Sequence, residues 1–338
     1  MRNRAPYVSP VGDPANLVDL VRRFGGVLSP VVFDPACELF TAHGLPGAAP
    51  IRRSVGNVVV AVGDPLSPPE AHDRLLATLA ERFGTVVVAG ASAELAARER
   101  ALGWAVIEFG EQITIDPRRA RPRGRRGHEL NRKLSHARRA TVEIGEYVDG
   151  AGRDAVLERA LDRVARAWLD SRRGLQIFVA HIDLFSPRAL RRWFYATWDG
   201  RVVGVQSLVQ LDARGGYLLE HLLTTGDVPA GTAELLVAAA LDALGREGCS
   251  FVSFGISTAA ALGHMSGLGP RSVWLGRWFF DHAQKSFRLD SISRFRKKFG
   301  EVTVEPSYLL FHPARVTPRA LFGLVRAFNA SLAWSLRR

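Results

Sequence analysis

The chain has 338 residues, 47% of them hydrophobic and 23% charged, enough for about two domains with buried cores and too apolar for a chain disordered throughout. Its formal net charge of +12 favours a polyanionic partner, either nucleic acid or anionic lipid. Cys37 and Cys249 are far apart with no Cys-x-x-Cys pair, which excludes a disulfide scaffold and a Cys-type zinc site and fits a reducing cytoplasm; no apolar run reaches the ~18–20 residues of a membrane helix, and residues 1–10 lack the apolar stretch of a secretory signal.

The run 57–62 (NVVVAV) predicts a buried strand ending in the turn Gly63-Asp64-Pro65. Leu75, Leu76, Leu79 and Phe83 recur at helical spacing and predict a helix over 69–83. A strand over 85–89 and a helix over 92–102 follow, the helix closed by Gly103. Two short strands, 104–109 and 112–115, flank Gly110-Glu111. The stretch 118–139 then carries ten Arg or Lys against one acid, Glu129. Such a run repels itself unless phosphates or counterions neutralise it, so it is a candidate phosphate-contacting element as well as a solvated helix face. Gly124 and Gly127 suggest a loop that becomes a helix at about Glu129.

A similar order returns beyond the basic run. An amphipathic helix is predicted over 154–169, a hairpin over 202–211 and 217–223, a helix over 232–246, and strands over 251–255 and 302–311. From Pro318, Leu321, Leu324, Val325, Phe328 and Leu332 form one apolar stripe among arginines. The stripe is expected to dock on the protein's own body; a basic amphipathic helix resting on lipid is the alternative. The expected organisation is α/β (α+β): an N-terminal unit 1–117, a basic connecting loop and helix 118–145, a C-terminal unit 146–313 and an amphipathic helix 314–338.

Three segments could carry chemistry. Glu220 sits near the end of its strand, and strict alternation places it on the face of Leu218 and Leu222. A carboxylate in an apolar row needs a partner or a raised pKa, and so is a candidate general base. The turn 226–231 leads into a helix whose free N–H groups could hold an anion, with Gly231 and Thr232 at its start and Glu234 in its first turn as a second candidate base. In Arg294–Glu301 (RFRKKFGE), Arg296, Lys297 and Lys298 interleave with Phe295 and Phe299, a cluster suited to phosphate or to developing negative charge. The nine histidines show no metal-binding spacing, so no metal site is expected.

These segments together resemble the C-terminal catalytic domain of bacterial phosphatidylglycerol lysyltransferases (lysylphosphatidylglycerol synthases) over roughly residues 50–313. The likeness rests on Val62-Gly63-Asp64-Pro65, Gly110-Glu111, Asn131-Arg132, Trp168-Leu169, Pro229-Ala230-Gly231-Thr232 with Glu234, Phe254-Gly255 and Phe295-Arg296-Lys297-Lys298-Phe299. The resemblance implies a tandem of GNAT-like acyltransferase domains that move an aminoacyl group from charged tRNA to an acceptor, with no cofactor beyond the aminoacyl-tRNA co-substrate. On that reading Glu220, Glu234 and Lys298 are catalytic. Gly231, Thr232, Arg296 and Lys297 bind substrate, and Arg123, Arg125, Arg126, Arg132 and Lys133 bind tRNA. The family's Asp-x-x-Arg pair falls on Glu220 and Leu223, so the arginine is missing. With no membrane-spanning segment in the chain, this points to a soluble small-molecule acceptor of a biosynthetic pathway. The alternatives are a peripheral enzyme acting on phosphatidylglycerol in an anionic membrane, and an acyl-CoA-dependent N-acyltransferase.

Overall fold

A computed structural model describes residues 8–10, 14–53, 57–120, 124–149, 152–171, 181–259, 261–287 and 294–328. Arg123 lies outside them, as does the stripe beyond Phe328; within the described helices the side chain of Arg126 is likewise outside the description.

The N-terminal half opens with β1 (Val8–Pro10) and α1 (Pro14–Phe24). Strands β2 (Glu38–Phe40), β3 (Ala49–Arg53) and β4 (Val58–Val62) then continue an antiparallel meander. Helix α2 (His72–Phe83) crosses over to β5 (Thr85–Ala91), which lies parallel to β4. Five apolar residues in a row suit β4 because every one is buried, as a strand covered on both faces requires. Helix α3 (Ala93–Ala101), capped by Ser92 Oγ accepting from Leu95 N (3.2 Å), leads to β6 (Ala105–Ile115). The two strands expected around Gly110 are thus one. A Cβ on Gly110 would come within 2.8 Å of Ser257 O, so glycine lets the neighbouring backbone approach without ending the strand.

The C-terminal half repeats this order. Helix α4 (Gly124–Arg139) connects the halves; Gly124, at φ 63°, opens the helix five residues before the expected start. Strand β7 (Glu143–Tyr147) and helix α5 (Ala155–Ser171) precede β8 (Arg191–Trp198), β9 (Arg201–Leu211) and β10 (Gly216–Thr224). These four strands form a second antiparallel meander, and α6 (Thr232–Arg246) crosses over to the parallel strand β11 (Val252–Thr258). Short β12 (Met265–Ser266), α7 (Pro270–Phe287), β13 (Val302–His312) and α8 (Pro318–Phe328) complete the described chain. In the segment 294–299, residues 294–296 are helical and 297–298 form a turn.

All the described strands join one sheet, ordered β1-β2-β3-β4-β5-β13-β6-β11-β10-β9-β8-β7, with β12 on β6. The halves exchange their last strands. β13 runs antiparallel between β5 and β6, and β6 pairs with β11. Alternation along β6 sends Trp104 and Val106 toward α2 and α3, and Ala105 and Ile107 to the other face, where α7 and α8 pack. There Leu321, Leu324 and Ala327 of α8 are buried with Val60, Val87, Ala89 and Phe311, so its apolar stripe lies on the sheet.

Candidate functional site

Strands β10 and β11 pair only at Tyr217–Val252 and Leu218–Ser253 and then part. A bulge lies on each arm of this fork, between Leu219 and His221 on β10 and between Ser253 and Ile256 on β11. The β10 bulge makes Glu220 the extra residue, so it breaks the strict alternation expected with Leu218 and Leu222 and is re-aimed. Its Oε2 accepts a hydrogen bond from Arg191 Nη1 and lies 3.3 Å from His221 Nε2. Arg191 is itself oriented by its Nε, which donates to Ser186 O (2.7 Å). Burial pushes the Glu220 carboxyl up, but the His221 ring in its charged form and the Arg191 guanidinium outweigh it and hold it below the usual carboxylate range. Burial also pushes the His221 imidazole down. Glu220 is therefore held as a carboxylate, while burial favours the neutral form of the His221 ring beside it against the pull of that carboxylate.

Glu234 stands in the first turn of α6 with a different set of partners. Its Oε1 accepts from Lys298 Nζ (2.7 Å) and Lys133 Nζ (2.9 Å). Burial raises this carboxyl, and the bonds from the two lysines reverse the effect and leave it lowered. Lys298 also sits 4.2 Å from the centre of the Phe295 ring. The N-terminus of α6 is not an open cradle, because α4 packs on it. A Cβ on Gly231, the left-handed N-cap, would lie 2.1 Å from Lys133 O, and His136 Nδ1 is 3.0 Å from Ala230 O. Thr232 Oγ1 donates to Pro229 O within the turn (2.7 Å). The anion at this helix start is Glu234 itself.

The structure thus does not bring the two candidate bases together. Leu208 of β9 packs with α6, whereas Val209 joins the cluster against α1 and Val205 the cluster against α5. Arg191 and His221 are in register with Val209 and Ser207, so they and Glu220 lie on the face away from α6. The segment 295–299 reaches both sides. Phe299 stacks on Phe254 in the α6 cluster, while Arg296 Nη1 donates to Gly255 O (3.3 Å) in the fork. A Cβ on Gly255 would meet Leu218 at 3.6 Å and Arg296 Nη2 at 3.7 Å, which places the guanidinium beside Leu218. Burial pushes Arg296 down to about 10, and no carboxylate among the described residues pairs with it. Lys297, by contrast, is bonded to Glu111 (2.8 Å).

Helix α4 turns Gly127, Leu130, Leu134 and Ala137 inward and leaves Arg125, Arg132, Arg138 and Arg139 exposed. None of these four has a carboxylate partner among the described residues, whereas Lys133, expected on tRNA, is bonded to Glu234. A groove of about 760 Å³ runs along this helix against α6, floored by Leu130, Leu134, Leu241 and Phe299 with Arg138 on its rim. Among the described residues no group of three or more His, Cys, Asp or Glu could hold a metal ion, and no helix is long and apolar enough to cross a membrane.

Comparison with known proteins decides the relationship. The sequence pattern of the family described as phosphatidylglycerol lysyltransferase, C-terminal, matches residues 37–311. The chain belongs to this family. It is 30% identical over 274 residues to the lysylphosphatidylglycerol biosynthesis bifunctional protein LysX of Mycobacterium marinum, covering 76% of this chain and 23% of that one. The LysX of Mycobacterium ulcerans is 30% identical over 300 residues, 83% of this chain and 26% of its own. The chain therefore spans about a quarter of the length of these curated relatives. The fold matches that of L-PGS from Bacillus licheniformis, with a TM-score of 0.75 at 15% identity over 94% of this chain and 97% of that one. The C-terminal domain of a lysylphosphatidylglycerol synthetase from Agrobacterium fabrum gives 0.74 at 17% identity, over 96% and 97%.

Sequence reasoning missed Arg191 and His221. His221 directly follows Glu220 in the chain, and that adjacency is a signal that could have found it. Arg191 carried no signal, because its strand, β8, mixes arginines with aromatics and has no clean alternation.

Proposed function

We propose that this chain transfers an aminoacyl group from charged tRNA to a hydroxyl of phosphatidylglycerol. The family match supports an aminoacyl-tRNA-dependent acyltransferase, and the relatives named for lysylphosphatidylglycerol favour a lipid acceptor over the soluble small molecule expected from the sequence. Natural-product biosynthesis finds no support among these relatives, and the acyl-CoA alternative has none in the family match.

The observation that carries the reading is the β10–β11 fork, where the Arg296 guanidinium, without a carboxylate partner among the described residues, lies at Gly255 beside Leu218, and the carboxylate of Glu220 and the imidazole of His221 stand two and three residues further along β10. Arg296 receives the phosphodiester of the acceptor. His221 takes the proton as the acceptor hydroxyl attacks the ester carbonyl, and Glu220 stabilises the imidazolium that forms. The ester bond to the tRNA 3′ oxygen breaks, and that oxygen leaves with the proton. Holding both substrates in place supplies much of the acceleration, up to about 7–11 kcal/mol in ideal cases; proton transfer adds about 10²–10⁴-fold. Lys298, with Lys133, fixes Glu234 and the start of α6. The exposed arginines of α4 hold the tRNA backbone.

Incubation with radiolabelled aminoacyl-tRNAs, lysyl-tRNA first, and phosphatidylglycerol vesicles tests this. Label extracted with the lipid and stable to ribonuclease is the expected result. Label appearing only on water-soluble acceptors would overturn the lipid reading.

A further inference from the structure

Among the described residues, the exposed aromatic side chains are concentrated in one place. Among the large hydrophobics that stand exposed, the aromatics are Trp274 (66% exposed), Trp278 (48%) and Phe322 (55%). The first two are on α7 and the third on α8, helices that pack into the same core cluster and are joined where Ser272 Oγ accepts from Val316 N (3.2 Å). Along α7, helical spacing puts Arg271, Trp274, Trp278 and His282 on one outward stripe, while Leu275 and Phe279 pack into the core. The two helices and the short stretch 313–317 that leads into α8 carry six basic residues, Arg271, Arg277, Lys285, Arg315, Arg319 and Arg326, against one acid, Asp281. Arg271, Arg277, Arg315, Arg319 and Arg326 have no carboxylate partner among the described residues.

Exposing two tryptophans to water is unfavourable unless something covers them. Indole rings in company with arginines suit the headgroup level of a bilayer, where the ring meets acyl chains and the cation meets phosphate. A nucleic-acid base would need an open ring face. Trp278 has its ring neighbours already, Trp274 at 6.5 Å and 19° on one side and His282 at 4.5 Å on the other. The exposed arginines of α4 have no exposed aromatic residue among them, as a backbone-binding surface would have it.

We propose that α7 and α8 form a docking face for an anionic bilayer, with Trp274, Trp278 and Phe322 entering the headgroup region and the flanking arginines on lipid phosphates. The proposal rests on the lipid-acceptor reading, since a docked enzyme draws its acceptor from the surface it sits on.

The test is cosedimentation of the whole chain, without tRNA, with vesicles of phosphatidylglycerol and phosphatidylcholine or of phosphatidylcholine alone. Binding to the anionic vesicles, weakened by salt and accompanied by a blue shift of tryptophan emission, is expected. The W274S/W278S variant should bind them at least tenfold more weakly, with an unchanged melting temperature. Its transfer to a short-chain phosphatidylglycerol below the micelle concentration should equal that of the native chain. Equal vesicle binding by native and variant chains would overturn the proposal, as would a variant that lost tRNA retention but kept vesicle binding. A native chain that bound vesicles through these residues yet transferred nothing to short-chain phosphatidylglycerol would sustain the docking face and sink the lipid-acceptor reading.

Discussion

A carboxylate inside an apolar row must be paired or protonated, and this protein shows each outcome. Glu99 of α3 is 1% exposed, and neither of its carboxylate oxygens has a hydrogen-bond partner. Burial and the nearby Asp73 outweigh Arg98 and push it up to about 7 from 4.5. Below pH 4.5 the folded and unfolded chains both carry this proton and the fold keeps its full stability. Between there and pH 7 only the folded chain holds the proton, so stability falls as pH rises. At about 1.4 kcal/mol per unit the loss is up to ~3 kcal/mol. Glu99→Gln should flatten this decline, gaining stability over the native chain at pH 8 but not at pH 4.5; urea unfolding at both values checks it. Glu220 is the paired case. Glu220→Gln keeps an acceptor for Arg191, so the fold should persist while kcat falls about 100-fold or more and KM changes little. Glu220→Leu leaves a buried guanidinium unpaired and should cost about 3–5 kcal/mol of stability. A Gln variant with full turnover would remove Glu220 from the chemistry. Glu220 was legible as a charge in an apolar row. Its environment was not, because a bulge and a partner 29 residues away decide it, and neither leaves a mark in local pattern.

Helix α4 shows how a charged run becomes a directed surface. Leu130, Leu134 and Ala137 recur at helical spacing and bind the element to α6, which throws the arginines outward. Neutralising Arg125, Arg132 and Arg138 together should weaken tRNA binding and flatten its dependence on salt, by about 0.7–0.9 log units of slope for each phosphate left without its arginine. The melting temperature should hold, since none of the three is paired within the described protein. An unchanged slope, read from filter binding between 50 and 200 mM salt, would move the tRNA site elsewhere. The charge of this helix was plain in the sequence, and so was the start of α6 at Thr232. Helix α7 was not, because its outward tryptophans put apolar residues all round and blur the stripe that marks a surface helix. The feature that hid the helix is the one that distinguishes its surface.

The repeated order of elements was visible along the chain, but order does not give pairing. Read as consecutive units, 1–117 and 146–313 would each close their own sheet. The strand exchange forbids this. Without β13, β5 and β6 each lose a neighbour, and without β11 the other side of β6 is bare as well. The reciprocal loss strips β11 and β13 of every partner they have on that side. Long unpaired edges of this kind leave backbone groups unsatisfied and invite aggregation. The tie extends past the sheet, since Arg52 of β3 donates to Ala327 O at the end of α8 (2.6 Å) and pairs with the buried Asp34 (3.2 Å). The positive charge stands at the helix C-terminus, where it is favoured. The intact chain should therefore melt in one cooperative transition, with calorimetric and van't Hoff enthalpies in agreement. Residues 1–145 and 146–338 expressed apart should be insoluble or lack a cooperative transition, and coexpression should recover a soluble pair. Two separable transitions in the intact chain, or two halves that each fold alone, would show that the exchanged strands contribute little to holding the halves together.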